Sequence, residues 1–182
     1  ATELGLPAPR IAVVEGDGLL NTSALELHYE LQKARPEVVG IAHLHGFHGR
    51  VWSSLGQLFQ PITAESSAFV GEQVLFDRHA LHTNDRDLVA HAFVETFADN
   101  NLLVWQNHGL WTTGQTVESA AWRFILADDT ARAHLLAYSA GQPRVPELGE
   151  DSFNPAQREL FGWLNFLPLW DRIVQQQPDL LD

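Results

Sequence analysis

Cysteine is missing from all 182 residues. Its absence excludes disulfides, thiolate nucleophiles and cysteine-ligated metals, and leaves the cytoplasm as the default expectation. No apolar run reaches the roughly 18 residues of a transmembrane helix, so no membrane span is expected. The opening ATELGLPAPR has one arginine and no long apolar stretch, unlike a signal peptide. Basic residues are scarce: 11 Lys and Arg against 23 Asp and Glu give a formal net charge of −12. A surface of that sign repels phosphate backbones, which argues against a nucleic-acid partner. An anionic substrate would need a local positive centre, which a bound cation can supply. Methionine is also absent and the chain starts at Ala1, so a preceding N-terminal segment is expected.

What remains is 45% hydrophobic and 19% charged, the balance of a globular chain with a core. We expect one domain over residues 1–182. Ile11–Glu15 reads as a short strand, and Asn21, Thr22 and Ser23 offer caps for a helix from Ala24 to Lys33. Val38–His45 is a nearly continuous apolar, β-branched run, the pattern of a strand covered on both faces. A glycine-loosened exit and a helix over Val51–Phe59 should follow, then a strand over Phe69–Phe76. Asp85 caps an expected helix Arg86–Phe97, and Leu102–Gln106 reads as the next strand. The longest helix should span Val117–Ala140, capped at Thr116 and ended by Gly141. Residues 142–182 read as a connector and an aromatic tail, FGWLNFLPLW, packed on the domain or on a neighbouring subunit. Alternating strands and helices favour helices layered on a sheet, with strand direction left open.

Three histidines carry the chemistry. His43 and His45 stand two apart at the end of one strand, so their side chains leave the same face. His108, in N-H-G, sits just past a later strand. Imidazoles delivered from rigid strand ends can converge on a divalent metal, although the same spacing fits ordinary polar strand termini. Neutral ligands leave the cation its full charge and open positions. Zinc then suits carbonyl polarisation and charge stabilisation, whereas iron could activate dioxygen; manganese is a further alternative.

The remaining candidates each have a plain structural alternative. His28 could be a ligand, a substrate contact, a donor behind the ligands or a core histidine. His48 could touch substrate or lie at the surface. Glu65 could move a proton beside the metal, and Ser66 could bind substrate, or both could simply close a loop. Asn107 could orient a ligand or bond backbone, and Arg35 could bind an anion or pair with a carboxylate. His79, His82, His91 and His134 read as structural or exposed. Trp52, Trp105, Trp111 and Trp122 read as core; Trp163 and Trp170 would line an aromatic pocket or seal an interface.

The stretches ARPEVVGIAHLHG and QNHGLWTTGQTVESA, followed by a long helix, resemble the class II aldolase/adducin-like family over about His28 to Gly141. The resemblance implies a three-layer α/β/α sandwich with a mixed or largely antiparallel sheet. It also implies a homotetramer with sites between subunits, and His43, His45 and His108 as metal ligands. Where the family's sugar-phosphate aldolases carry a catalytic glutamate, four positions before His28, this chain has Ala24. Glu26, two positions on, points about 200° away on a helix. The N-terminal phosphate-binding environment is not recognisable either. Members lacking that glutamate include aromatic-acid decarboxylases, dehydratases, iron oxygenases of hydroxybenzoate-type compounds and non-catalytic adducin-like domains. The expectation is therefore a metal-dependent lyase acting on a C–C or C–carboxylate bond of a small oxygenated or hydroxy-aromatic acid. A non-haem iron oxygenase and an adducin-like oligomerisation module are the alternatives.

Overall fold

The computed structural model describes residues 24–147 and 155–181. The strand expected at Ile11–Glu15 and the caps expected at Asn21, Thr22 and Ser23 lie outside them. Helix α1 (Leu25–Ala34) starts at Ala24, which offers no side-chain cap. Strand β1 (Gly40–Leu44) leads into helix α2 (Phe47–Ser53). That helix begins earlier than expected and ends six residues sooner, because the chain turns at Gly56 with a positive φ of 61°. Phe69 closes a 3-10 turn, Ser66–Phe69, and strand β2 covers only Gln73–Phe76. Helix α3 (Arg86–Phe97) has the expected bounds, with the Asp85 carboxylate accepting from the Asp87 and Leu88 N–H groups.

Strand β3 (Leu102–Trp105) turns at Asn107-His108 into β4 (Gly109–Gly114), a fully buried strand that the sequence reading left without an element. Helix α4 (Val117–Ala140) is capped by Thr116 through a reciprocal box with Ser119. The aromatic tail is helix α5 (Pro155–Gln176), which runs through Pro168. Among the described residues no helix is long and apolar enough to cross a membrane.

The strands order as β1-β4-β3-β2, antiparallel except for the parallel β2–β3 pair. Alternation along β3 and β4 divides the core. Leu102, Val104 and Leu110 pack with Trp52, Phe59 and Phe124 from the α2/α4 layer. Leu103, Trp105 and Trp111 pack with Leu31, Phe93 and Phe97 from the α1/α3 layer. The result is a three-layer α/β/α sandwich with a mixed sheet. Helix α5 lies on α4, with Gly162 against Ser119 and Trp122. Glu159 of α5 pairs with the buried Arg123 at 2.8 Å and bonds the Ser119 hydroxyl.

Candidate metal centre

Register determines which side chains meet. His43 of β1 stands opposite Trp111 of β4, and Trp105 of β3 stands opposite Gly109. The β3–β4 turn therefore carries His108 to the strand end where β1 releases His45. Asn107 holds the turn in the left-handed region, φ 60°, and donates its N–H to the Ser53 carbonyl at 3.2 Å. Asparagine tolerates that conformation better than most residues. Of the two roles open to Asn107, its backbone at least is engaged in shaping the turn.

The three Nε2 atoms converge. His108 Nε2 lies 3.1 Å from His45 Nε2 and 3.3 Å from His43 Nε2. Ligand atoms from all three residues lie within 4.8 Å of one another, a cluster capable of holding a metal ion. Tetrahedral ligands 2.0–2.1 Å from one ion would stand about 3.3–3.4 Å apart, so the donor set fits a shared cation. His43 is prepared for this role. Its Nδ1–H donates to the Leu110 carbonyl at 2.8 Å, which directs the Nε2 lone pair toward the other rings. It also stacks on Trp111 at 4.1 Å and 9°. His108 stacks on Trp105 at 4.7 Å. Burial against these rings pushes the His43 pKa down to about 4, despite the Leu110 bond, and the neighbouring imidazoles act in the same direction. The His108 pKa is lowered by burial and then by His45. Both imidazoles are thus neutral donors near pH 7.

His28 of α1 stands behind this group, its ring 5.0 Å from Trp111 and its pKa lowered by burial. His48 is not in the turn expected for it. It lies in α2 and pairs with Asp128 of α4 at 3.1 Å, in the layer across the sheet from Trp111. Ser66 is fully buried, and its hydroxyl donates to the Thr63 carbonyl and accepts from the Thr63 N–H. Glu65 is exposed and borders a cavity of about 670 Å³ lined by Trp122, Arg123, Phe161 and Glu72. Glu72 precedes β2, which starts beside Leu102, the end of β3 away from His108. One chain therefore does not bring Glu65 or Ser66 to the imidazoles. Arg35 pairs with Glu37 at 2.8 Å and bonds the Asn100 carbonyl. His134 is buried between Thr130 and Gln60. Trp163 and Trp170 lie partly exposed on α5. Sequence reasoning missed the Leu110 carbonyl, the platform made by Trp111, and Asp128. No local spacing signals them, because Leu110 and Trp111 reach His43 through the β1–β4 pairing and Asp128 reaches Gly49 through helix packing.

An α/β/α sandwich with converging imidazoles at its strand ends defines a metal-competent scaffold. Residues 6–135 match the Class II Aldolase and Adducin N-terminal domain, and the chain belongs to that family. Decarboxylase NovR of Streptomyces niveus is 31% identical over 172 residues, 92% of this chain and 62% of that protein. The 4-hydroxy-3-prenylphenylpyruvate oxygenase/4-hydroxy-3-prenylbenzoate synthase of Streptomyces roseochromogenus subsp. oscitans is 30% identical, over 92% of this chain and 61% of its own length. The chain thus spans about three fifths of these relatives. An L-fuculose 1-phosphate aldolase from Glaciozyma antarctica PI12 superposes with a TM-score of 0.73 at 28% identity, covering 88% of this chain and 61% of that one. Within the family the chain is related to the decarboxylase and oxygenase branch.

Proposed function

We propose that this protein is a divalent-metal-dependent lyase that cleaves a C–C or C–carboxylate bond of a small oxygenated or hydroxy-aromatic acid, with His43, His45 and His108 as the ligands. The observation that carries this reading is the convergence of three Nε2 atoms at 3.1 and 3.3 Å. Zinc, or Fe(II) or Mn(II) in its place, would supply a positive charge that its neutral ligands do not cancel, favouring the negative charge left on substrate oxygens.

The chain's own groups divide the remaining work. The Leu110 carbonyl and Trp111 hold the His43 ring in one orientation, and Trp105 backs His108. Ala24 brings no carboxylate to the start of α1, and Glu26 pairs with Arg86 at 3.2 Å, which favours decarboxylation-type chemistry over sugar-phosphate aldol cleavage. His28 keeps a role as a substrate contact beside Trp111. His48 Nδ1 pairs with Asp128 and the Ser66 hydroxyl bonds Thr63, which weakens substrate roles for both. Water is the proton source within one chain, since Glu65 could reach the imidazoles only from a second copy. Exposed Leu44, Phe47, Val51 and Leu55 near the same strand end support a homo-oligomer, and the family resemblance makes it a tetramer. Light scattering that returned 20.3 kDa would remove that assembly.

A second reading, a non-haem iron oxygenase, is supported by the oxygenase relative and by a donor set that also suits Fe(II). Protein loaded anaerobically with zinc, manganese or iron would be offered a panel of hydroxy and dihydroxy acids. Release of CO2 or an aldehyde is the expected result. Oxygen uptake by the iron form without such release would favour the second reading, and inactivity of every form would end both.

A further inference from the structure

We infer that Asp128 is a positioning residue for the metal site, a carboxylate on α4 that locks the His45–Gly46 turn and thereby aims the His45 imidazole. The inference rests on His45 being a ligand, as proposed above. The three candidate ligands are not held alike. His43 is bonded at Nδ1 and stacked on Trp111, and His108 is stacked on Trp105. His45 is exposed, and among the described residues its only hydrogen-bond partner is His108. Its aim must therefore come from its backbone.

That backbone is fixed from across the molecule. Helix α2 starts at Gly46, which has no side chain to cap it. Asp128 takes over the task from 79 residues away: Oδ1 accepts from the Gly49 N–H at 2.8 Å, the third helical position, where a cap would bond. Oδ2 accepts from His48 Nδ1 at 3.1 Å, a second tie to the same turn. Gly46 makes room for the carboxylate. Gly46 has angles open to any residue, φ −51° and ψ 138°, so turn conformation does not explain it. A Cβ there would lie 2.5 Å from Asp128 Oδ1, whereas one at Gly49 would first meet Leu110 Cδ1 at 2.7 Å. The turn after H-x-H is shaped to receive a charge from α4, and His45 is the residue immediately before it.

Groups that orient metal-bound histidines typically change metal affinity by about 10–100-fold when removed. The test compares Co(II) binding by wild type, H45A, D128A and D128N, read by visible absorption and by competition with a chelator. D128A is expected to weaken Co(II) binding at least about tenfold and to alter the absorption band. D128N, which keeps an acceptor for the Gly49 N–H, should stay close to wild type. A D128A protein with wild-type affinity and spectrum overturns the inference, as does a D128N protein as weak as D128A. Should D128A not fold, G46A probes the same contact, and a folded G46A with unchanged Co(II) binding also overturns it. If neither folds even with Co(II) present, Asp128 serves the fold rather than the site and the inference falls. A wild type that binds no Co(II) removes the metal reading and this inference together. Weak binding by H45A beside an unchanged D128A removes only the inference.

Discussion

His43 and His45 are neighbours on one strand face, yet the rest of the protein treats them differently. His43 is wedged between the Leu110 carbonyl and the Trp111 ring, while His45 stands in solvent. Without metal, H43A should cost about 1–3 kcal/mol through the lost bond and ring contact. H45A should stay within about 0.5 kcal/mol of the parent. Urea unfolding of the chelator-treated proteins measures both, and equal destabilisation would contradict the assignment of support to His43 alone. The sequence offered the residue types and the H-x-H spacing. It could not show that the ring of His43 lies flat on Trp111, because that contact depends on β1 pairing with β4.

At the scale of elements, Gly40 and Gly114 face each other across β1 and β4, and the start of α4 closes over both. A Cβ on Gly40 would meet the Thr116 carbonyl oxygen at 2.5 Å and Val117 Cα at 2.7 Å, both backbone atoms. G40A should therefore destabilise by about 1–3 kcal/mol, the usual cost of overpacking. Thermal melts check this, and an unchanged midpoint would mean α4 moves aside freely. Helices α3 and α4 were legible because their ends are written locally, in Asp85 and in Thr116 with Gly141. Strand β4 was not: GLWTTG mixes glycine and threonine, and its six buried positions follow from helices packed on both faces. Helix α5 was read as an aromatic tail because Gly162 and Pro168 interrupt its pattern, although glycine is what allows it to lie on Ser119. The start of α2 was hidden for a comparable reason, since its cap comes from α4.

At the scale of the whole molecule, buried imidazoles couple stability to pH. His134 of α4 donates Nδ1–H to the Thr130 carbonyl and accepts the Gln60 N–H at Nε2, joining α4 to the loop after α2. Burial lowers its pKa from the ordinary histidine value of 6.5, against the effect of its backbone bonds. The unfolded chain therefore takes up a proton at a pH where the fold resists it. The stability His134 contributes is full above 6.5 and is lost as pH falls through its lower folded value. In chelator, the urea midpoint should drop between about pH 7.5 and pH 5, and H134Q should shrink that drop. His28, His43 and His108 shift the same way, so the slope should shrink without vanishing. An H134Q protein with the parent's pH dependence would show that His134 is not a source of it.

Taken alone, the sequence determined the donor chemistry, the pairing of His43 with His45 on one face, the alternation of layers, and the missing carboxylate at Ala24. These are properties of residue type and short-range period, which the chain carries wherever it folds. Spacing left open whether His108, 65 residues from His43, meets it, and only the family resemblance implied so; the tertiary structure brings the two within 3.3 Å. It also decided that Glu65 lies at the other end of the sheet and that Asp128 reaches the turn after His45. Those outcomes depend on strand register and helix packing, which sum many weak contacts across the whole chain and are not written in short-range spacing.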